Sequence, residues 1–287
     1  MAITVNTNIP SLTAQKSMNN ATTRMNTAME RMTTGLKINS SKDDAAGMAV
    51  ANKMNYKIGS LDVAQDNAQM GVSMLDTAEG VLGVINDNLT RIRDLTEQAA
   101  NGTYGSDAMK AIEAEVQARM DEITRLAASS EFNGKVLFNE DAKKGGIAEN
   151  IKLQVGITHK NESVIELDKS LFKKAGASAI LNVTKGKLTD QYKSDSNARA
   201  FLEKIDSALE NITSRTTLIG GYQQRISSAM DAAGVMQTNL TSAKSLIEDA
   251  DIAEESSNYI KQQILQQTSA SLLATANQAP SIALNLV

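Results

Sequence analysis

Apolar residues return every third and fourth position from Leu61 to Ala99, on two interleaved series with a period of seven. One reads Leu61, Ala68, Leu75, Leu82, Leu89, and the other Ala64, Gly71, Ala78, Ile85, Ile92, Ala99. That spacing predicts a long helix with a coiled-coil seam. A second seam comes late, at Ile205, Ile212, Ile219, Ile226, Ala233, Leu240 and Ile247, flanked by Leu202, Leu209 and Met230. A strict period of seven needs a partner helix, and the first seam supplies one. The ends follow the rule more weakly. Ala14, Ala21 and Ala28 alternate with Met18, Met25 and Met32, while Leu265, Leu272, Ala279 and Leu286 form a stripe at the other end. The pattern predicts a mainly α protein, a long antiparallel, coiled-coil-like helical hairpin whose end segments are neighbours.

Between the seams the period changes. "NGTYGSD", residues 101–107, holds two glycines that end the first long helix, and Asp107 to Ala128 reads as another helix with Ile112, Val116, Ile123 and Leu126 inward. "EFNGKVLF" carries an Asn-Gly turn signal, and "NIKLQVGITHKNESVIELD" reads as two short strands, Ile151 to Ile157 and Val164 to Leu167, around a polar turn. This is the small β-hairpin region in the middle of the chain. Residues 169–197 mix Gly, Lys, Ser and Asp without a period and read as a loop or exposed cap. Ser41, three residues before Asp44, marks a helix start with acids in its first turn.

Composition agrees with helix on helix. Among 287 residues there are no Trp, 4 Phe and 5 Tyr, so Ala, Leu, Ile, Val and 13 Met must fill the core. The two prolines, Pro10 and Pro280, both sit in the terminal segments. A formal net charge of -4 gives no basic footprint for nucleic acid. Neither end has an apolar run long enough for a membrane span, and the first residues lack the form of a cleavable signal peptide. The absence of Cys removes disulfides, thiolate metal sites and cysteine nucleophiles. Charge is also missing from both ends: none before Lys16 and none from Gln262 to Val287.

No catalytic, cofactor-binding or metal constellation emerges, and the chain does not read as an enzyme. The single histidine, His159, falls in a predicted turn, where solvation is the plainer reading. "IEDADIAEES", with Glu248, Asp249, Asp251, Glu254 and Glu255, lacks the glycine and regular ligand spacing of a calcium loop; a junction between two helices explains it better. Gly71, Gly80 and Gly83 lie in the helical pattern at about 1 kcal/mol each against Ala, which close packing by another helix would offset. Asp87 with Arg91, and Arg93 with Glu97, are spaced for ion pairs on a helix surface.

"TTGLKINSSKDDAAGMAVANKM", "EFNGKVLF" and "SAKSLIEDADIAEESSNYIKQQILQQTSASLLATANQAP" closely resemble bacterial flagellin, the filament subunit of the flagellum. The resemblance covers residues 1–168 and 196–287. It implies a compact member with little or no outer domain. Residues 1–42 and 246–287 would form an inner terminal coiled coil, and 43–168 and 196–245 a surrounding helical shell. Residues 169–195 would be a short variable exposed segment.

The resemblance further implies a secreted structural protein that polymerises with itself. Its partners would be an export chaperone, the filament cap protein and the Toll-like receptor for flagellin, with no cofactor, nucleic acid or membrane. Polymerisation is expected to run through Ile3, Val5, Ile9, Leu12, Met18, Met25 and Met32 at one end. At the other it would use Ile264, Leu265, Leu272, Leu273, Leu284 and Leu286. Receptor recognition is expected at Arg91, Leu95 and Glu115. An isolated terminal helix pair with Ala and Met seams buries little, so the ends are expected to order only on assembly. The nearest rival is a hook-filament junction protein, which shares such end sequences but caps rather than elongates.

Overall fold

The computed structural model describes residues 7–139, 145–183 and 187–284. The elements run α1 (Ile9–Thr34), α2 (Ala45–Ala99), α3 (Ser106–Ser129), β1 (Glu131–Phe132), β2 (Lys135–Val136), β3 (Ile151–Gln154) and β4 (Val164–Leu167). They continue with α4 (Ala177–Ile180), α5 (Leu188–Gln191), α6 (Asp195–Glu248) and α7 (Ile252–Leu284). The chain divides into two compact units, Met1–Ile58 with Gln237–Val287, and Gly59–Met236. Both divisions fall inside the long helices α2 and α6.

In the unit Gly59–Met236 the two seams form one core. Leu75, Leu82, Leu89, Ile85 and Ile92 of α2 are fully buried, as are Ile205, Ile219 and Ile226 of α6. Their direction is fixed by polar pairs at the edges. Arg93 bonds Asp206 at 2.7 Å, and Gln223 donates to Asp76 at 2.7 Å and Glu79 at 2.9 Å, so α2 and α6 are antiparallel. Helix α3 adds Ile112, Val116 and Ile123 to the same core, with Leu126 half-buried.

The Asn-Gly turn is present between β1 and β2, with Asn133 at φ 48° and Gly134 at φ 79°. Strands β3 and β4 pair antiparallel with Ile151 opposite Leu167. Gly71 is where this hairpin meets α2, because a Cβ there would lie 2.5 Å from Leu153 Cδ1. Its close neighbour is therefore a strand residue and not a helix. Gly80 and Gly83 have open space within 4 Å, which corrects the expectation that a helix packs on them.

The expectation of an exposed loop at residues 169–195 is overturned. Leu171, Phe172 and Ala175 are fully buried, and Ala177, Leu181, Val183, Leu188 and Tyr192 nearly so. Sequence periodicity missed them because the described parts, 169–183 and 187–195, lie on the bundle in short turns, each offering one or two apolar anchors. Polar latches accompany them. Arg215 Nη1 donates to the Lys173 carbonyl at 2.9 Å, Thr189 Oγ1 to Glu113 at 2.6 Å, and the Tyr192 and Thr96 hydroxyls are 2.7 Å apart. Burial pushes the Tyr192 phenol well above its ordinary range, against the smaller opposing effect of the Thr96 hydroxyl.

In the other unit a corner joins the helices. Gly35, at φ 73°, ends α1 with its N–H on the Arg31 carbonyl. Lys37 N–H donates to the Glu248 carbonyl at 2.6 Å, and Ala250 N–H to Gly35 at 2.9 Å. The helix start near Ser41 is displaced: Asp44 itself accepts from the Ala46 and Gly47 amides and so opens α2. Asp43 instead gathers the Asn39 and Ser40 amides. The acidic cluster is the helix junction expected, since Asp251 caps α7 through Ala253 and Glu254.

Candidate functional site

Helices α1 and α7 lie antiparallel along their length. Asn8 donates to the Ala276 carbonyl at 2.7 Å, Gln266 to Thr22 at 3.0 Å, and Arg31 to Glu255 at 2.9 Å. Pro10 sits in the first turn of α1, where its missing N–H costs nothing, and Asn8 caps it through Ser11 N–H. The buried seam of α1 is Ala14, Ala21 and Ala28, as the periodicity indicated. Alanine lets backbones approach closely, and Cα atoms of the two helices come within 8 Å.

The facing seam of α7 is not apolar. It is Glu255, Gln262 and Ser269, buried to 8%, 8% and 7% exposure, again with a period of seven. Leu265 and Leu272 point outward at 44% and 58% exposure, with Ile260 and Ile264 at 52% and 56%. Three residues from the seam positions, Leu265 and Leu272 flank the seam, and Ile260 and Ile264 make the outer face. An open groove of about 440 Å³ follows it, lined by Ser257, Ile260, Lys261, Ile264 and Leu265. On α1, Ile9 and Leu12 are likewise exposed, and Met18, Met25 and Met32 are half-buried. Leu273 is half-buried. Ile3, Val5 and Leu286 lie outside the described residues, as do the side chains of Ala279 and Leu284.

The pair is therefore inside-out: small and polar groups within, large apolar groups without. An ion pair, Arg31 with Glu255, ties the helices, and its side chains keep 27% and 11% exposure. Arg31 Nε is buried there without a hydrogen-bond partner among the described residues. Helix α7 continues past Pro280 to Leu284. No helix among the described residues is long and apolar enough to cross a membrane.

The second candidate surface lies on α2 and α3. Arg91 pairs with Glu115 of α3, Nη2 to Oε1 at 3.0 Å, and not with Asp87 as the spacing suggested. Across-helix reach wins because α3 runs antiparallel beside α2, with Arg119 also donating to Asn88 at 3.3 Å. Arg93 keeps its expected Glu97 partner at 3.3 Å and adds Asp206, whose hydrogen bond holds the guanidinium pKa above its usual value. Arg91 and Glu115 are brought together at the surface. Leu95 lies beneath them at 3% exposure and faces the core.

Models of the bacterial flagellin N-terminal and C-terminal helical regions match residues 5–143 and 202–287. A flagellin of Xenorhabdus nematophila is 34% identical over 321 residues, covering 100% of each chain. A flagellin of Halalkalibacterium halodurans is 32% identical over 284 residues, covering 99% of each. The solved structure of Bacillus cereus FlgL shares the fold, with a TM-score of 0.53 at 16% identity, over 67% of this chain and 99% of that one. Matched by flagellin models at both helical ends and by flagellins along its whole length, the chain belongs to the bacterial flagellin family, whose members are structural proteins and not enzymes.

Proposed function

We propose that this flagellin is the structural subunit of an extracellular bacterial flagellar filament serving motility, and that copies join through the outward faces of α1 and α7. The observation that carries the reading is the inside-out pair, which leaves Ile260, Ile264, Leu265 and Leu272 in water. Such a face is stabilised when neighbours cover it, by roughly 25 cal/mol per Å² of apolar area. Copies related head to tail without ring closure give an open helix. Ile9, Leu12, Met18, Met25, Met32, Ile264, Leu265, Leu272 and Leu273 make the contacts, and Ile3, Val5, Leu284 and Leu286 extend them. Residues 1–42 and 246–287 then form the inner coil, and 43–168 with 196–245 the shell around it. Uncharged ends suit an axis where many copies meet, because stacked like charges would repel.

Seeded growth from purified protein, followed by electron microscopy, tests this. Long filaments are expected from the native chain and none from Ile264→Gln with Leu272→Gln, while the variant's helical content stays unchanged. Short capped seeds from the native chain would favour a hook-filament junction protein instead.

Export in the unfolded state, with a dedicated chaperone and a cap protein at the growing tip, completes the reading. The Arg91–Glu115 pair is the part of the monomer offered to the Toll-like receptor for flagellin, with Leu95 supporting that face from beneath. Arg91→Ala is expected to lower reporter-cell signalling by monomer at least about tenfold, the scale of an interfacial arginine anchor. An unchanged response would remove the receptor from the reading.

A further inference from the structure

Two Asn-Gly steps occur in the chain, Asn101–Gly102 and Asn133–Gly134, and both asparagines are exposed. Such a step can age without an enzyme. The Gly amide nitrogen attacks the Asn side-chain carbonyl carbon Cγ and forms an N–Cγ bond. The Cγ–Nδ2 bond breaks, and ammonia leaves carrying the proton of the Gly N–H. Water then opens the five-membered imide at either carbonyl, giving aspartate or isoaspartate, with no change of oxidation state. Glycine favours the step because nothing on its Cα blocks ring closure.

The fold treats the two steps differently. Asn133 and Gly134 are the centre of a tight turn with φ 48° and 79°, closed by the β1–β2 pairing of Phe132 with Lys135. The turn is held further by Leu137 N–H on the Ser130 carbonyl at 2.9 Å and Val136 N–H on the Gly145 carbonyl at 3.0 Å. Bringing the Gly134 nitrogen onto Asn133 Cγ requires the Asn133 backbone to rotate out of this left-handed geometry, which breaks the turn.

Asn101 sits between the end of α2 and the start of α3. Its main chain is tied only by N–H to Gln98 at 3.2 Å and by its carbonyl to Tyr104 N–H at 3.4 Å. Neither the Asn101 side chain nor the Gly102 N–H has a hydrogen-bond partner among the described residues. Space does not separate the two steps, since a Cβ on Gly102 or on Gly134 would meet nothing within 4 Å; the backbone conformation and its ties do.

We propose that Asn101 is a site of spontaneous deamidation selected by the fold, and that the same chemistry at Asn133 is withheld by its turn. The product adds one negative charge to a chain whose formal net charge is -4. The new carboxylate stands on the rim of a hollow of about 460 Å³ that also carries Lys110, Glu113 and Lys193. It lies just beyond the C-terminal end of α2, where a negative charge is unfavourable, so the loop and the last turn of that helix loosen as the protein ages.

The intact protein is incubated in mildly alkaline buffer, with and without denaturant, and mapped by peptide mass spectrometry with an isoaspartate-specific methyl-transfer assay. In the folded chain Asn101 is expected to convert at least about tenfold faster than Asn133, and in denaturant the two rates should converge. Gly102→Ala, which the backbone accepts, should slow conversion at Asn101 while leaving circular dichroism unchanged. Equal rates in the folded protein would overturn the proposal. So would a gap that persists in denaturant, because selection would then lie in the flanking residues and not in the fold.

Discussion

Single glycines in α2 separate cleanly by what surrounds them. Gly71 is pressed by Leu153 of β3, whereas Gly80 and Gly83 look into open space. Gly80→Ala is therefore expected to stabilise the monomer by about 1 kcal/mol, the helix-propensity gain of alanine. Gly71→Ala gains the same propensity but forces Leu153 to move, and the overpacking penalty of about 1–3 kcal/mol cancels or exceeds it. Urea unfolding of the two variants should give midpoints displaced in opposite directions, or a Gly71→Ala midpoint no higher than the native one. The contrast shows why identical residues in one periodic pattern were legible as helix but not as contact. Spacing reveals which face a residue occupies, while the neighbour at Gly71 comes from a hairpin some eighty positions further along.

Elements were read from the sequence wherever a long period repeated. The seams at Leu61 to Ala99 and Ile205 to Ile247 lie on α2 and α6, with Leu240 and Ile247 only half-buried. The helix read from Asp107 begins at Ser106, and the strand read as Ile151 to Ile157 stops at Gln154, while Val164 to Leu167 stands as read. Short elements were missed for a physical reason: α4 and α5, four residues each, bury single anchors such as Ala177 and Leu188 and offer no period to detect. The α7 stripe was seen at Leu265 and Leu272, but the buried polar seam of Glu255, Gln262 and Ser269 was not, because apolar spacing does not detect a seam made of polar groups. Caps behave differently again, since they depend on charge. The Ser40 and Asn39 amides hold the Asp43 carboxyl below its usual value, the Ser40 backbone bond being the largest cause. A depressed folded pKa means the bonds contribute fully above the ordinary value of 3.8 and are lost as pH falls through the lower folded one. Amide exchange protection at Asn39 and Ser40 is expected to hold at neutral pH and to fade in acid below that ordinary value. In Asp43→Ala it should already be absent at neutral pH.

On the scale of the whole chain, the unit Gly59–Met236 owns the large aliphatic core, and the terminal unit owns the inverted pair. Stability and association are thus assigned to different stretches of sequence. Removing Gln262–Val287 should leave the cooperative thermal transition of the core unit in place, with Tm displaced by only a few degrees on the usual scale of about 2–4 °C per kcal/mol for a unit of this size. The same truncation should abolish filament growth on seeds. The seam joining α1 to α7 has a further meaning for handling. When that pair opens, it releases alanine methyls and amide, hydroxyl and carboxylate groups that water receives readily. A leucine zipper parted in the same way would bare a greasy strip and stick to whatever it met.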